Sequence, residues 1–355
     1  MAKIDAILRQ AREQGASDLH LATGSPPLVR LHGELAALPH EPLARDVVQL
    51  LLYELMDGAT KAQFEEARDV EFAYELPGVA RARCHVFDQC RGVSGTFRIL
   101  PNTIPTAEAL GLPDELVQLA ECPGGLIVVC GPARSGKTST IAALVDHVNR
   151  VRRAHVLTLE DPIEYKFTNR QSLVSQREIG RNTRGFAAGL RAALREDADV
   201  IVVGEAPDVE TLALALAGAS TGRLVLMSLH ARTATHALDR MLDRFAGEGE
   251  RQARVQLSDS LLGIAAQRLL PRADGGQALA TELLIGTREV RAHVRERETD
   301  AIEEDLARGF DGMQSLDAAL LGLVEAGDVA PEDAVQHLTN PEILPLPTSR
   351  ARRVA

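Results

Sequence analysis

The sequence predicts an α/β protein whose larger part is a mainly parallel sheet covered by helices on both faces, preceded by a smaller α+β module. Three observations point there. From Gly124 onward, short and wholly apolar runs alternate with helical segments, the pattern of strands buried on both faces. One of these runs, LIVVC (126–130), leads straight into Gly131-Pro132-Ala133-Arg134-Ser135-Gly136-Lys137-Thr138, which fits G-x-x-x-x-G-K-[ST] and opens a helix. Before about Leu100 the pattern differs, with apolar and polar residues alternating around turn-forming SPP, Pro77-Gly78 and Arg91-Gly92.

The elements follow in order. DLHLATG and LVRLHGEL suggest a short antiparallel pair, VVQLLLYELMDGATKAQFEEA has helical periodicity, and the stretch from Asp69 to Leu100 returns to strands. Residues 1–100 are therefore expected to form a first domain. PNTIPTAEALGLP (101–113), with three prolines and no strong period, reads as a linker. A second domain is expected over 114–340: LIVVC, then the helix KTSTIAALVDHV, then AHVLTLE, VIVVGE and RLVLMSLH as further strands, and a mostly helical part beyond about Ala246. PEILPLPTSRARRVA (341–355), proline-rich and ending in arginines, is expected to be a disordered tail.

Bulk properties narrow the function. A chain of 355 residues with 45% hydrophobic content can bury the cores of two domains. Its formal net charge of -11 disfavours a surface built to grip nucleic acid, so no nucleic-acid partner is expected. The four cysteines show no C-x-x-C pair and no zinc-ligand spacing, which suits reduced thiols. No apolar run approaches the roughly 20 residues of a membrane helix, and MAKIDAILRQAREQG lacks a signal-peptide core, so a soluble cytoplasmic protein is expected.

The glycine loop is a candidate phosphate cradle, in which backbone N–H groups hold phosphates, Lys137 reaches the β and γ phosphates, and the Thr138 hydroxyl binds Mg²⁺. Residues 131–139, from Gly131 through Pro132, Ala133, Arg134, Ser135, Gly136, Lys137 and Thr138 to Ser139, form the candidate nucleotide site, and ATP with Mg²⁺ is the expected ligand. Ligands of open α/β sheets sit outside the carboxyl ends of the strands. There AHVLTLE ends in Glu160, Asp161 and Glu164, VIVV in Gly204-Glu205, and RLVLMSL in His230, so successive strands are expected to bring Lys137, Glu164, Glu205 and His230 to one rim. Acidic residues after strands also serve as helix caps, and a lone histidine is often structural. Beside a phosphate loop, two glutamates suit the two tasks hydrolysis needs: activating water and holding the metal's water shell.

At these residues the chain resembles the type IV pilus retraction ATPases, the twitching motility (PilT) family of the secretion ATPase superfamily. The resemblance runs from SDLHLATGSPPLVRLHGEL to GMQSLDAALLGLVEAG. It is carried by the phosphate loop, by TLEDPIEY (similar to an Asp box), by VVGEAPDVET (a Walker B segment) and by STGRLVLMSLHA (a His box). It implies a RecA-like P-loop ATPase domain and a PAS-like amino-terminal domain. By resemblance, Glu164 is the general base, Glu205 the Walker B acid and a metal-site residue with Thr138, and His230 lies near the γ-phosphate. The resemblance also implies a homo-hexameric ring in which Arg83 and Arg98, from GVARARCHVF and GTFRIL, reach a neighbour's phosphates, although arginine alternating with apolar residues also describes an exposed strand face. An inner-membrane pilus platform protein and paralogous pilus ATPases are the implied partners, placing the ring peripherally at that membrane.

The chain departs from the family pattern in four places. Gly204-Glu-Ala-Pro-Asp208 carries Pro207 where the family has arginine, Arg223 replaces the first histidine of the His box, and Ala133-Arg134 replaces a common Thr-Gly. REVRAHVRE stands where retraction enzymes have a more apolar helix. The absence of an extra amino-terminal region and of a four-cysteine zinc motif favours the retraction type over pilus extension and type II secretion ATPases. The alternative is a specialised, weakly hydrolysing regulatory paralogue; a DNA-translocating ring is disfavoured by the acidic charge.

Overall fold

The computed structural model describes residues 3–31, 33–76, 79–100, 103–245 and 247–344. It divides into two compact units, residues 1–103 with 162–166, and residues 104–161 with 167–355.

The first unit contains α1 (Asp5–Glu13), β1 (Asp18–Leu21), β2 (Leu28–Leu31), β3 (Glu34–Ala37), α2 (Arg45–Tyr53), α3 (Gly58–Ala67), β4 (Asp69–Leu76), β5 (Ala80–Gln89) and β6 (Gly92–Leu100). The strands form one antiparallel sheet in the order β3-β2-β1-β6-β5-β4. The pairing of β1 with β2 is the one read from the alternating sequence. The single helical stretch expected over 47–67 is two helices, because Asp57 accepts a hydrogen bond from the Thr60 N–H at 2.8 Å and so caps a new helix in mid-pattern. Helices and sheet share a core of Leu8, Leu19, Val29, Leu52, Phe64, Val86 and Phe97. The turn expected at Pro77-Gly78 lies outside the described residues.

The second unit begins with α4 (Ala107–Leu110) and α5 (Asp114–Leu119), so the segment expected as a linker contains a short helix capped by Thr106. Then come β7 (Gly125–Cys130), α6 (Lys137–Val151), β8 (His155–Glu160), β9 (Leu173–Glu178), α7 (Phe186–Ala193), β10 (Val200–Val203), α8 (Val209–Ser220), β11 (Leu224–Leu229), α9 (Ala234–Leu242) and α10 (Glu248–Ser260). The chain continues through β12 (Leu261–Pro271), β13 (Gln277–Ile285), α11 (Arg288–Glu296), α12 (Thr299–Arg308), α13 (Leu316–Glu325) and α14 (Pro331–Ala334).

Seven strands form one sheet in the order β13-β12-β7-β11-β10-β8-β9, parallel throughout except for β13. Alternate residues of the central strands face opposite cores. Leu126, Val128, Leu157, Ile201 and Val225 meet α7 to α12 on one side, while Ile127, Val129, Val156, Val202 and Leu226 meet α5 and α6 on the other. Each such side chain, fully buried, contributes roughly 1.5–3 kcal/mol. That double burial is why these strands read as unbroken apolar runs.

Two features of this sheet go beyond the sequence expectations, the β12–β13 hairpin and β9. The part beyond about Ala246 is mostly helical, as expected, but it also carries β12 and β13, a long hairpin that extends the sheet beyond β7. LLGIAAQRLL is rich in good helix formers, yet the free edge of β7 recruits it as a strand with Ile264, Ala265, Ala266 and Gln267 buried. β9, an edge strand, is of mixed polarity and so lacks the apolar run that marks the central strands. Of the expected tail, Pro341–Ile343 forms a 3-10 turn, and residues 345–355 lie outside the described residues. No described helix is long and apolar enough to cross a membrane.

Candidate active site

The second unit builds its site at the carboxyl ends of its parallel strands. β7, buried at every residue between β12 and β11, delivers the chain to Gly131. The loop turns through three residues of positive φ, Gly131 (+155°), Arg134 (+64°) and Gly136 (+88°), and α6 starts at Lys137. Gly131 is required by space: a Cβ there would lie 2.3 Å from Ser135 Oγ and 2.8 Å from the Gln267 carbonyl oxygen. Arg134, exposed at the loop tip, takes a conformation that suits glycine.

Lys137 folds back over this loop, its Nζ donating to the carbonyls of Gly131 at 3.0 Å and Pro132 at 2.8 Å. Thr138 and Ser139 are half-buried in the first turn of α6, whose N-terminal N–H groups and dipole favour an anion. Ser135 Oγ is buried without a hydrogen-bond partner, a polar atom left for a ligand to satisfy. An inward lysine, an unsatisfied hydroxyl and a helix N-terminus fit a phosphate chain. The hydroxyl and carboxylate oxygens of Thr138 and Glu205 suit a hard divalent cation such as Mg²⁺. Beneath the loop, Gln267 of β12 is fully buried and its Nε2 donates to Thr140 Oγ1 at 2.7 Å, tying the hairpin to α6. Cys130, at the end of β7, is no nucleophile, because burial pushes its thiol up to about 12.

The neighbouring strands end in register with β7. Leu229 pairs with Cys130 and Val203 with Met227 and Leu159, so exposed Glu205 and His230 stand on the same rim as Lys137 and Thr138. Glu160 is occupied differently: its Oε1 accepts from Thr158 Oγ1 at 2.6 Å and Gln176 Nε2 at 3.1 Å, which holds β8 to β9. Asp208 caps α8 by accepting from the Thr211 N–H at 2.7 Å. Arg223 sits at the amino end of β11, the opposite rim, with guanidinium bonds to the Leu194 carbonyl and Thr221 Oγ1, both at 3.0 Å.

The remaining candidates belong to the first unit. Glu164 lies in segment 162–166, which follows β8 in sequence but groups with that unit. Arg83 and Arg98 face each other across β5 and β6 and are held by carboxylates, Arg83 by Glu71 and Arg98 by Asp18 at 3.2 Å.

Other residues support the rim and carry no sequence motif. Arg240 Nη1 donates to the His230 carbonyl at 2.7 Å and Arg268 Nη2 to the Arg232 carbonyl at 2.9 Å, fixing the loop after β11. Glu282 of β13, almost wholly buried, accepts from the Ala234 N–H at 2.6 Å at the start of α9. Burial raises the Glu282 carboxyl, opposed by its backbone hydrogen bonds from Ala234 and Leu316 and by Arg268. A sequence signal does point at the hairpin that carries Arg268 and Glu282: Asp274-Gly275-Gly276 between two apolar runs is a turn signature.

Comparison with known proteins agrees with this architecture. Residues 1–313 match the family model of the Type II/IV secretion system protein. The chain is 40% identical over 340 residues to the type IV pilus retractation ATPase PilT of Pseudomonas aeruginosa, covering 96% of this chain and 99% of that protein. It is 33% identical over 337 residues to the type IV pilus ATPase PilU of the same organism, covering 94% and 88%. A crystal structure of the pilus retraction motor PilT with bound ADP superposes with a TM-score of 0.90 at 41% identity, over 97% of this chain and 99% of that one. With a family model spanning most of its length and a relative matched end to end, the chain belongs to the Type II/IV secretion system protein family.

Proposed function

We propose that this chain is an ATP-hydrolysing motor that powers retraction of type IV pili, and thereby twitching motility. The observation that carries the reading is the match to a pilus retraction ATPase along nearly the whole of both chains. The rim of the second unit supports it with Lys137, Thr138, Glu205 and His230 at the ends of its parallel strands.

In this reading the loop 131–139 cradles the phosphates of ATP through its N–H groups. Lys137 exchanges its bonds to the Gly131 and Pro132 carbonyls for phosphate oxygens, and its charge offsets the negative charge that grows during transfer. Thr138 and Glu205 would hold Mg²⁺, which would supply positive charge against that of the phosphates. Glu164 takes the proton from the attacking water, so that ATP and water become ADP and phosphate. His230 senses the γ-phosphate position at the end of β11. Arg83 and Arg98 act on a neighbour's site in a homo-hexamer, which makes hydrolysis depend on subunit geometry. The ring works on the cytoplasmic side of an inner-membrane pilus platform protein, alone or with a paralogous ATPase.

One observation favours a second reading, a slow regulatory member of such a ring. Arg134 sits in the phosphate loop at φ +64°, a conformation costly for an L residue, in a position where glycine would be relaxed. Steady-state phosphate release by the purified chain separates the two. A motor is expected to show sustained turnover by rings of this chain alone, and a regulatory subunit to show turnover only when a paralogous ATPase is added. Lys137→Ala is expected to abolish turnover in either case, and undiminished phosphate release by that variant would overturn the assignment.

A further inference from the structure

Glu205 stands just beyond β10 in the stretch Gly204-Glu205-Ala206-Pro207. It is exposed, and Pro207 has no N–H with which to anchor the loop. Tertiary contacts hold the backbone instead. The Gly204 N–H donates to the Leu159 carbonyl at 2.8 Å, joining the start of the loop to β8. The Ser228 hydroxyl, from β11, donates to the Gly204 carbonyl. On the other side of Glu205, the guanidinium of Arg244 donates to the Ala206 carbonyl. Ala206 is buried at 1% exposure, so its carbonyl needs a protein donor, and Arg244 supplies it from beyond the end of α9.

We propose that Arg244 is a positioning residue for Glu205. With Ser228 it brackets that residue by its two flanking carbonyls and fixes where the carboxylate can point. A guanidinium suits this task, because it is planar, remains charged and offers several donors in a fixed fork. Four residues earlier, Arg240 performs the same service for His230 through that residue's carbonyl. The last turn of α9 and the residues just after it therefore secure the main chain under both rim groups. Movement of α9 is then felt at both groups at once.

This role rests on the ATPase reading, and the experiment separates the two. Arg244→Met keeps the aliphatic stem and removes every donor, whereas Arg244→Lys keeps a charge and a single-point donor. In the full chain without nucleotide, Arg244→Met is expected to speed amide hydrogen exchange across residues 203–208 by about 10-fold, since the bracket loses its hold on the Ala206 side. In steady state it is expected to lower kcat about 10-fold and to raise the Mg²⁺ concentration for half-maximal rate, with the affinity for a fluorescent ADP analogue changed less than about twofold. Arg244→Lys is expected to recover part of both effects. Unchanged exchange overturns the bracket, and faster exchange with unchanged kcat and Mg²⁺ dependence overturns the positioning role. Should the unaltered chain show no Lys137-dependent turnover, the ATPase reading fails and takes this role with it.

Discussion

Adding one methyl group to Gly131 tests whether the phosphate loop is shaped by space or only by backbone conformation. Both motif glycines have positive φ, +155° at Gly131 and +88° at Gly136. Alanine at either position carries the backbone cost of a region that L residues avoid, about 1–2 kcal/mol, offset by about 0.4–1 kcal/mol from a less flexible unfolded chain. At Gly136 the cost ends there, because a Cβ would meet nothing closer than Leu269 Cδ1 at 3.6 Å. At Gly131 it would lie 2.3 Å from Ser135 Oγ, 2.8 Å from the Gln267 carbonyl oxygen and 3.0 Å from Ser135 Cβ. The hydroxyl can rotate away, but the carbonyl belongs to the buried strand β12 and cannot retreat without moving the sheet. Overpacking of this kind adds about 1–3 kcal/mol.

Gly131→Ala is therefore expected to cost about 2–4 kcal/mol and Gly136→Ala about 1 kcal/mol. At about 2–4 °C for each kcal/mol in a domain of this size, the nucleotide-free melting temperature falls by about 5–10 °C for the first and about 3 °C for the second. Differential scanning fluorimetry reads this ranking directly, and titration with a fluorescent ADP analogue is expected to follow it, since a displaced loop loses its converging N–H groups. Equal melting temperatures for the two variants, or a Gly131→Ala protein that melts with the parent, would refute the steric argument.

Three further outcomes follow from the site. Glu164→Gln is expected to retain nucleotide binding while phosphate release collapses, because an amide cannot accept a proton from water; Glu205→Gln is expected to regain activity as Mg²⁺ is raised, and a reversal of these behaviours in titrated ATPase assays would exchange the two assignments. Arg83→Ala and Lys137→Ala, each nearly inactive alone, are expected to regain ATPase activity when their subunits exchange, since an arginine supplied by a partner is worth roughly 10³-fold or more in rate; mixed rings seen by native mass spectrometry without recovered activity would place Arg83 outside the chemistry. Stability is expected to depend on pH through Glu282. Its folded pKa is raised above the ordinary 4.5, so the native state holds the proton more tightly than the unfolded chain; stability is fullest below the unfolded pKa and declines as pH rises through the folded value. Glu282→Gln should flatten that decline in urea melts taken across this range, and an identical slope in the variant would remove Glu282 from the account.

Local sequence determined the parts of this protein that depend on neighbours along the chain. The phosphate loop is one: the strand before it, the helix after it, and glycines at fixed offsets all lie within residues 125–151, so their pattern is visible without a fold. The apolar runs of β7, β8, β10 and β11 were legible because burial on both faces demands them. The candidates at their ends followed from the rule that such strands present ligands at their carboxyl edges. What tertiary structure decided is whatever depends on the free edge of an element or on the satisfaction of a buried group. LLGIAAQRLL is a strand only because the edge of β7 is open to it. Glu160 is held by Gln176 and Glu282 caps α9 because packing brings distant segments together. Arg244 reaches the Ala206 carbonyl for the same reason: a buried acceptor must find a donor somewhere, and where that donor lies in sequence is fixed by the fold rather than by any periodicity.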